Sequence, residues 1–240
     1  MRYRAVLLAL CFLLSTTSTL SATVRDQEIA ECRVGEVVTW NDGTDRRAIS
    51  TPLRFFYRHN EAPAWFRQSE VESLVKQSVQ AWTGCGLPVE LQLSISTTSQ
   101  PADAITIEWS ETGSRGNFAL ANLTRRTLSI SPKAFAMLRE RNPAYDAKQT
   151  LQMVLSHELG HFFGLVAHSR RCVDVLSYYN DGKGAKCYTR DPSGLSTVVE
   201  YRNTLPTACD IERCRTINGQ PPLPGGRLPF TGLPLAPAQP

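Results

Sequence analysis

Apolar and polar positions alternate with period two in two stretches, the pattern of half-buried strands. VELQLSI (89–95) puts Val89, Leu91, Leu93 and Ile95 on one face, and AITIEWS (104–110) does the same with Ile105, Ile107 and Trp109. LRFFYR (53–58) reads as a strand from its aromatic content, and GNFALANL (116–123) and RTLSIS (126–131) are less regular strand candidates. Between residues 69 and 82 the period lengthens: Val71, Leu74, Val75, Val79 and Trp82 recur at helical spacing. Ser69 and Glu72 supply an S-x-x-E capping box, and Gly84 a stop. A second helix is expected from about Asp146, with Gln149 as capping partner and Leu151, Val154 and Leu155 as its apolar stripe, ending at Gly164. Beyond it the chain turns irregular, and no internal repeat is visible. This order predicts one α+β domain over residues 50–218, preceded by an N-terminal segment, 23–49.

The two ends change that picture. MRYRAVLLALCFLLSTTSTLSA opens with Arg2 and Arg4, continues with the apolar run Ala5–Leu14 and closes on small residues, the layout of a secretory signal peptide over residues 1–22. The run is too short to span a bilayer. A secreted protein is expected, extracellular or periplasmic, with no membrane association once the leader is removed. At the other end, seven of the 15 prolines fall in the last twenty residues, which predicts a disordered or extended tail over 219–240. The bulk composition, 42% hydrophobic and 20% charged, is that of an average globular protein. A net charge of +4 with no dense Lys/Arg block gives no footing for nucleic acid, and a monomer is expected.

Without the leader and its Cys11, six cysteines remain: Cys32, Cys85, Cys172, Cys187, Cys209 and Cys214. An even number in an exported chain predicts three disulfides, among fifteen possible pairings. Cys172–Cys187 and Cys209–Cys214 each close a local loop, which leaves Cys32–Cys85. No C-x-x-C pair exists to favour a cysteine zinc site.

Histidine carries the chemistry. Of four in the chain, His157, His161 and His168 fall within twelve residues, and His59 stands apart. Positions four apart on a helix lie about 40° apart and roughly 6 Å along the axis, so His157 and His161 can face one ion. Glu158 lies next to the first of them, completing H-E-x-x-H, the zinc hydrolase arrangement. Three residues, Leu165, Val166 and Ala167, separate Gly164 from His168. A helix ending at Gly164 lets the chain turn back toward the ion. In extended backbone one residue more or less flips a side chain, and a local bulge restores its direction. His168 is the expected third ligand, the alternatives being Asp174 or no third protein ligand. Three protein ligands leave a coordination position open, which is the catalytic type of zinc site.

HELGHFFGLVAHS (157–169) resembles the elongated zinc signature of the metzincin metallopeptidases. Its HELGH and GL pieces, and the Ser after the last His, are most similar to the matrixin branch. VDVLSYY (173–179) resembles the family's Met-turn, with Leu176 in the Met position and Tyr178 matching a tyrosine that assists the reaction in some branches. The resemblance spans roughly residues 50–190 and departs from the family at two points, the extra residue before His168 and Leu176. It implies a metzincin-like α+β fold: a twisted mixed sheet, a long helix, an active-site helix and a loop-rich C-terminal subdomain. It also implies one catalytic Zn2+ and peptide hydrolysis, in which zinc polarises the scissile carbonyl and a water while Glu158 moves the proton. Tyr178 would then hydrogen-bond the oxyanion. The substrate, a protein or peptide, would lie along an edge strand at Asn117–Leu123, with Asn117, Phe118, Ala119, Leu120 and Ala121 as its contacts.

WNDGTD (40–45) and YNDGKG (179–184) resemble calcium loops in composition, but their spacing is that of turns, so Ca2+ has no support. Asn122-Leu123-Thr124 is a glycosylation sequon, meaningful only in a eukaryotic secretory host. Cys32, in ECRVGE, could cap a zinc as thiolate, but a disulfide is the expected state. Two other functions fit the pattern: a secreted binding module with a degenerate zinc site, and a zinc hydrolase of non-peptide substrates. Glu158 argues against the first, since a structural site has no use for that carboxylate.

Overall fold

The computed structural model describes residues 22–93, 102–196 and 200–228. The signal-peptide candidate as far as residue 21, the Ser94–Ile95 end of the strand candidate 89–95 and the tail beyond Leu228 lie outside the described residues.

Five strands form one mixed sheet: β1 (Leu53–Tyr57), β2 (Val89–Leu93), β3 (Ile105–Trp109), β4 (Ala119–Asn122) and β5 (Thr127–Ile130), in the order β2-β1-β3-β5-β4. The first three pairings are parallel, and β4 joins β5 antiparallel as the sheet's edge. β1 lies inside the sheet between β2 and β3, and its Leu53, Phe55, Phe56 and Tyr57 are all buried, which is why it is apolar and aromatic apart from Arg54. Asn117 and Phe118 fall just outside β4, although the Phe118 carbonyl extends its ladder by accepting from Ser131 N at 2.9 Å. Leu123 is in the turn beyond its other end.

Two long helices, α2 (Gln68–Trp82) and α5 (Ala147–Phe162), pack against each other beside the sheet. The indole Nε1 of Trp82 donates to Ser156 O at 2.9 Å, and Gln152 Nε2 to Leu74 O at 3.0 Å, so both buried donors are satisfied across the contact. α2 starts earlier than its capping box predicts. Arg67 is the N-cap, with no side-chain cap, and Ser69 and Glu72 are already helical. Glu70 occupies the first turn instead, where a negative charge is favoured, and bonds Lys148 Nζ at 2.8 Å. α5 starts as its sequence predicts: the Asp146 carboxylate accepts from Lys148 N and Gln149 N at 2.8 and 2.9 Å.

Four helices were not read from the periodicity: α1 (Val24–Ala30), the one-turn α3 (Glu111–Ser114), α4 (Pro132–Arg141) and α6 (Ala208–Ile217). Each has a capping signal: Thr23 with Asp26, Ser110, Ser131 before Pro132, and Thr207 with Asp210. The proline-rich segment is packed as far as Leu228. Leu223 is buried, its N–H donates to Glu212 Oε2 at 2.7 Å, and Leu228 N donates to Ala30 O at 3.1 Å.

Three disulfides tie the chain, and two of the expected pairings are wrong. Cys172–Cys187 is present, but Cys32 pairs with Cys209 and Cys85 with Cys214. Cys209 and Cys214 sit five apart on α6, hence about 140° around and ~7.5 Å along the axis, so they face opposite ways and cannot bond each other. α6 is riveted on one side to the segment after α1 and on the other to the turn after α2. Cys32 is thereby no thiolate cap. The bridges fit an oxidising compartment outside the cytoplasm. Among the described residues no helix is long and apolar enough to cross a membrane.

Candidate metal centre

α5 carries His157 and His161 on one face, one turn apart, beside the β4 edge. The helix ends at Phe162, and Gly164 follows at φ +101°, a conformation that favours glycine. A Cβ there would lie 1.8 Å from Arg46 O, so glycine is required on steric grounds as well. The close approach lets Arg46 N donate to Gly164 O at 3.0 Å, which folds the chain back over the helix.

The return strap, residues 165–168, resolves the extra residue. Val166 N and Ala167 N both donate to one oxygen, Asp45 Oδ1, at 2.9 and 3.0 Å. Consecutive amides in extended chain point to opposite sides, so two aimed at one atom mark a bulge-like kink. Past it, His168 aims back at α5. One ligand atom each from His157, His161 and His168 lies within 4.8 Å of the others. Asp174, the substitute ligand, is elsewhere: it is buried, accepting from Ser169 Oγ at 2.6 Å, Arg171 Nη1 at 2.9 Å and Thr207 Oγ1 at 2.6 Å. His59 is also distant in role, its Nδ1 2.6 Å from the Tyr57 hydroxyl.

The hydrogen bonds of the rings test whether this group fits a cation. Each Nδ1 faces a pure acceptor: His157 meets Val175 O at 2.8 Å, His161 meets Leu165 O at 2.7 Å and His168 meets Asp42 Oδ2 at 2.7 Å. Each Nδ1 therefore carries a hydrogen, and in the neutral ring Nε2 is left with a lone pair. His168 Nε2 and His157 Nε2 stand 3.2 Å apart. Two nitrogen ligands of a tetrahedral zinc would stand about 3.3 Å apart, given bonds of 2.0–2.1 Å. A proton could reconcile one such pair, and three such nitrogens within 4.8 Å of one another make a donor set that fits a cation. Burial and the neighbouring imidazoles hold His157 well below the ordinary histidine value, and burial lowers His161 to about 4, so both are free of competing protons at neutral pH.

Glu158 leans the other way, toward the sheet. Its Oε2 accepts from Ala121 N at 2.7 Å. Because Phe118 O faces β5, residues 119 and 121 present their backbone groups on the free edge, and the Glu158 carboxylate meets that edge. Burial pushes the carboxyl up to about 8, against the pull of the Ala121 N–H.

No family model matches the chain, and no curated protein matches it. A solved structure does align. A chain of the GM1-bound form of the ECX AB5 holotoxin covers 82% of this chain and 90% of its own length, at 12% identity and a TM-score of 0.44. A likeness that loose carries no argument about fold or function.

Below the histidines, Val173–Leu176 are buried. Leu176 packs against α5 where Gly160 has no side chain: a Cβ there would meet Leu176 Cδ2 at 2.6 Å and Trp82 at 2.8 Å. Its carbonyl accepts from Ser169 N at 2.9 Å. Tyr178 stands on the rim, its ring 5.0 Å from that of His168 and stacked on Trp40 at 5.1 Å. Its hydroxyl donates to Asp42 Oδ2 at 3.0 Å, so here it is tied to a carboxylate rather than free in the cleft.

Sequence reasoning missed Asp42 and Asp45 by filing WNDGTD as a turn. It is a turn, but its acids face the strap rather than calcium. The second calcium-like loop is self-contained, with Asn180 Oδ1 and Asp181 Oδ1 accepting from backbone amides of Gly182 and Lys183 at 3.0 and 2.8 Å. The other cluster of candidate donors, Cys32, Glu36 and Cys209, contains a disulfide and so offers no thiolate.

Proposed function

We propose that the chain is a secreted zinc-dependent endopeptidase of the metzincin, matrixin-like type. One observation carries the reading: three imidazoles converge beside a sheet edge, and the next residue after the first of them is a carboxylate with a raised pKa that meets that edge. The element order, the third histidine and Leu176 beneath α5 support the family resemblance. A zinc ion bound there would supply Lewis acidity toward a peptide carbonyl and a water. Glu158, ionised beside a bound cation, would take the proton of that water and later give it to the leaving amine. The edge of β4 at Ala119–Ala121 offers backbone groups to an extended peptide, except for Ala121 N, which Glu158 holds, with the half-buried Leu120 beside it and Asn117 and the 38%-exposed Phe118 at one end. Tyr178 can serve an oxyanion only by exchanging its bond to Asp42.

That engaged hydroxyl favours a second reading, a secreted binding module with a non-catalytic zinc. Metal analysis and a casein digest of wild type and Glu158→Ala separate the two. One zinc in each protein, with cleavage by wild type alone, is expected. Zinc without cleavage in either supports the binding module; equal digestion by both removes Glu158 from the mechanism.

A further inference from the structure

His168 is the ligand that the motif places least well. His157 and His161 are aimed by one helix, and each gives its Nδ1 hydrogen to a main-chain carbonyl. His168 lies beyond the helix on a strap one residue too long, and its partner is a side chain 126 residues away. Asp42 Oδ1 accepts from His168 N at 2.9 Å and Asp42 Oδ2 from His168 Nδ1 at 2.7 Å. The same Oδ2 takes the Tyr178 hydroxyl.

We propose that Asp42 is the positioning residue of the metal centre, a single carboxylate that sets the tautomer and aim of the third imidazole and parks the Tyr178 hydroxyl beside it. The N-terminal segment is thereby a working part of the site and not a leader to it. Main-chain and ring donors of one residue, accepted by the two oxygens of one carboxylate, fix both the backbone and the ring of His168. A negative partner also makes the imidazole a stronger ligand. Asp42 is itself held in place. Trp40 N donates to His168 O at 2.9 Å, the Trp40 ring stacks on Tyr178, and Asp45 grips Val166, Ala167 and Arg213.

The inference rests on the zinc reading above, and the test separates the two. Zinc affinity of the mature full chain is measured by competition with a chromophoric chelator at pH 7, for wild type, Asp42→Asn, Asp42→Glu, His168→Ala and the Asp42→Asn/His168→Ala double variant. Asn keeps the size but cannot accept both donors of His168 and the Tyr178 hydroxyl. Glu keeps the charge and moves it. Asp42→Asn is expected to bind zinc roughly 10- to 100-fold more weakly, with its three disulfides intact and a shifted cobalt(II) visible spectrum. Asp42→Glu should weaken binding too, and stands in if the Asn variant does not fold. The double variant should bind no more weakly than His168→Ala alone, because Asp42 acts through His168. Wild-type affinity in either folded Asp42 variant, or additive losses in the double variant, overturns the proposal. A wild type that holds no zinc, or holds it as tightly as His168→Ala, overturns the underlying reading instead.

Discussion

Burial and a bound cation would pull the Glu158 proton in opposite directions. In the metal-free chain burial raises the carboxyl to about 8, so at pH 7 the protonated form prevails. A dication among the adjacent imidazoles favours the charged form and drives that proton off. His157 and His161 are already neutral there and have little to release. Zinc binding at pH 7 should thus liberate about one proton from Glu158, and Glu158→Gln should liberate one fewer. Calorimetric titrations in buffers of different ionisation enthalpy count the difference; equal counts would mean that the carboxyl is not raised. Leu176 poses a separate question at this scale. It fills the space left by Gly160, and Met has nearly its volume, so Leu176→Met should cost under about 1.5 kcal/mol in urea denaturation and leave zinc affinity unchanged. Leu176→Ala should cost about 2–5 kcal/mol, the range for opening a cavity.

At the scale of elements, the end of α5 decides whether the site exists. Ala at Gly164 would face both a positive φ and Arg46 O, whereas Ala at Gly160 meets the ends of side chains. Gly164→Ala is expected to cost roughly 3 kcal/mol or more and to lose zinc, and Gly160→Ala about 1–3 kcal/mol with zinc retained. Equal losses in thermal melts would deny the tight fold-back its role. That fold-back was half legible in the sequence. Gly164 as helix stop, Asp146 as N-cap and a kink that returns His168 all follow from local chemistry. The five strands were legible too, two of them by alternation, β1 by its aromatic run and β4 and β5 as less regular stretches. What holds the kink was not legible. Asp42 and Asp45 act over more than 120 residues, and in a string they look like any turn. α1, α4 and α6 were passed over because short helices have little periodicity, although Ser131-Pro132 and the T-x-x-D caps at Thr23 and Thr207 were there to be read. Missing α6 led directly to the wrong disulfides.

Across the whole molecule, α6 and its two bridges join what the sheet does not reach. Cys85–Cys214 ties it to the turn after α2, and Cys32–Cys209 ties it to the N-terminal segment that carries Asp42. The loops closed differ widely in length: Cys32–Cys209 spans 177 residues and Cys172–Cys187 spans 15. If a bridge acts by restricting the unfolded chain, its worth grows with the logarithm of that span, to about 5 kcal/mol for the long loop and about 3 kcal/mol for the short one. Native contacts would rank the two differently. Around the long bridge, Glu28 accepts from Thr189 Oγ1, Tyr201 Oη and Arg190 N at 2.7–2.8 Å, so the segment stays anchored without its sulfurs. The Cys172–Cys187 bridge lies close under the rim, one residue from the buried Val173–Leu176 turn. Paired Cys→Ser variants at each bridge, denatured in urea under oxidising conditions, are therefore expected to show the larger stability loss for Cys32/Cys209 and the larger drop in zinc affinity for Cys172/Cys187. The opposite order of stability losses would place the stabilisation in the native contacts around the short bridge rather than in the unfolded ensemble.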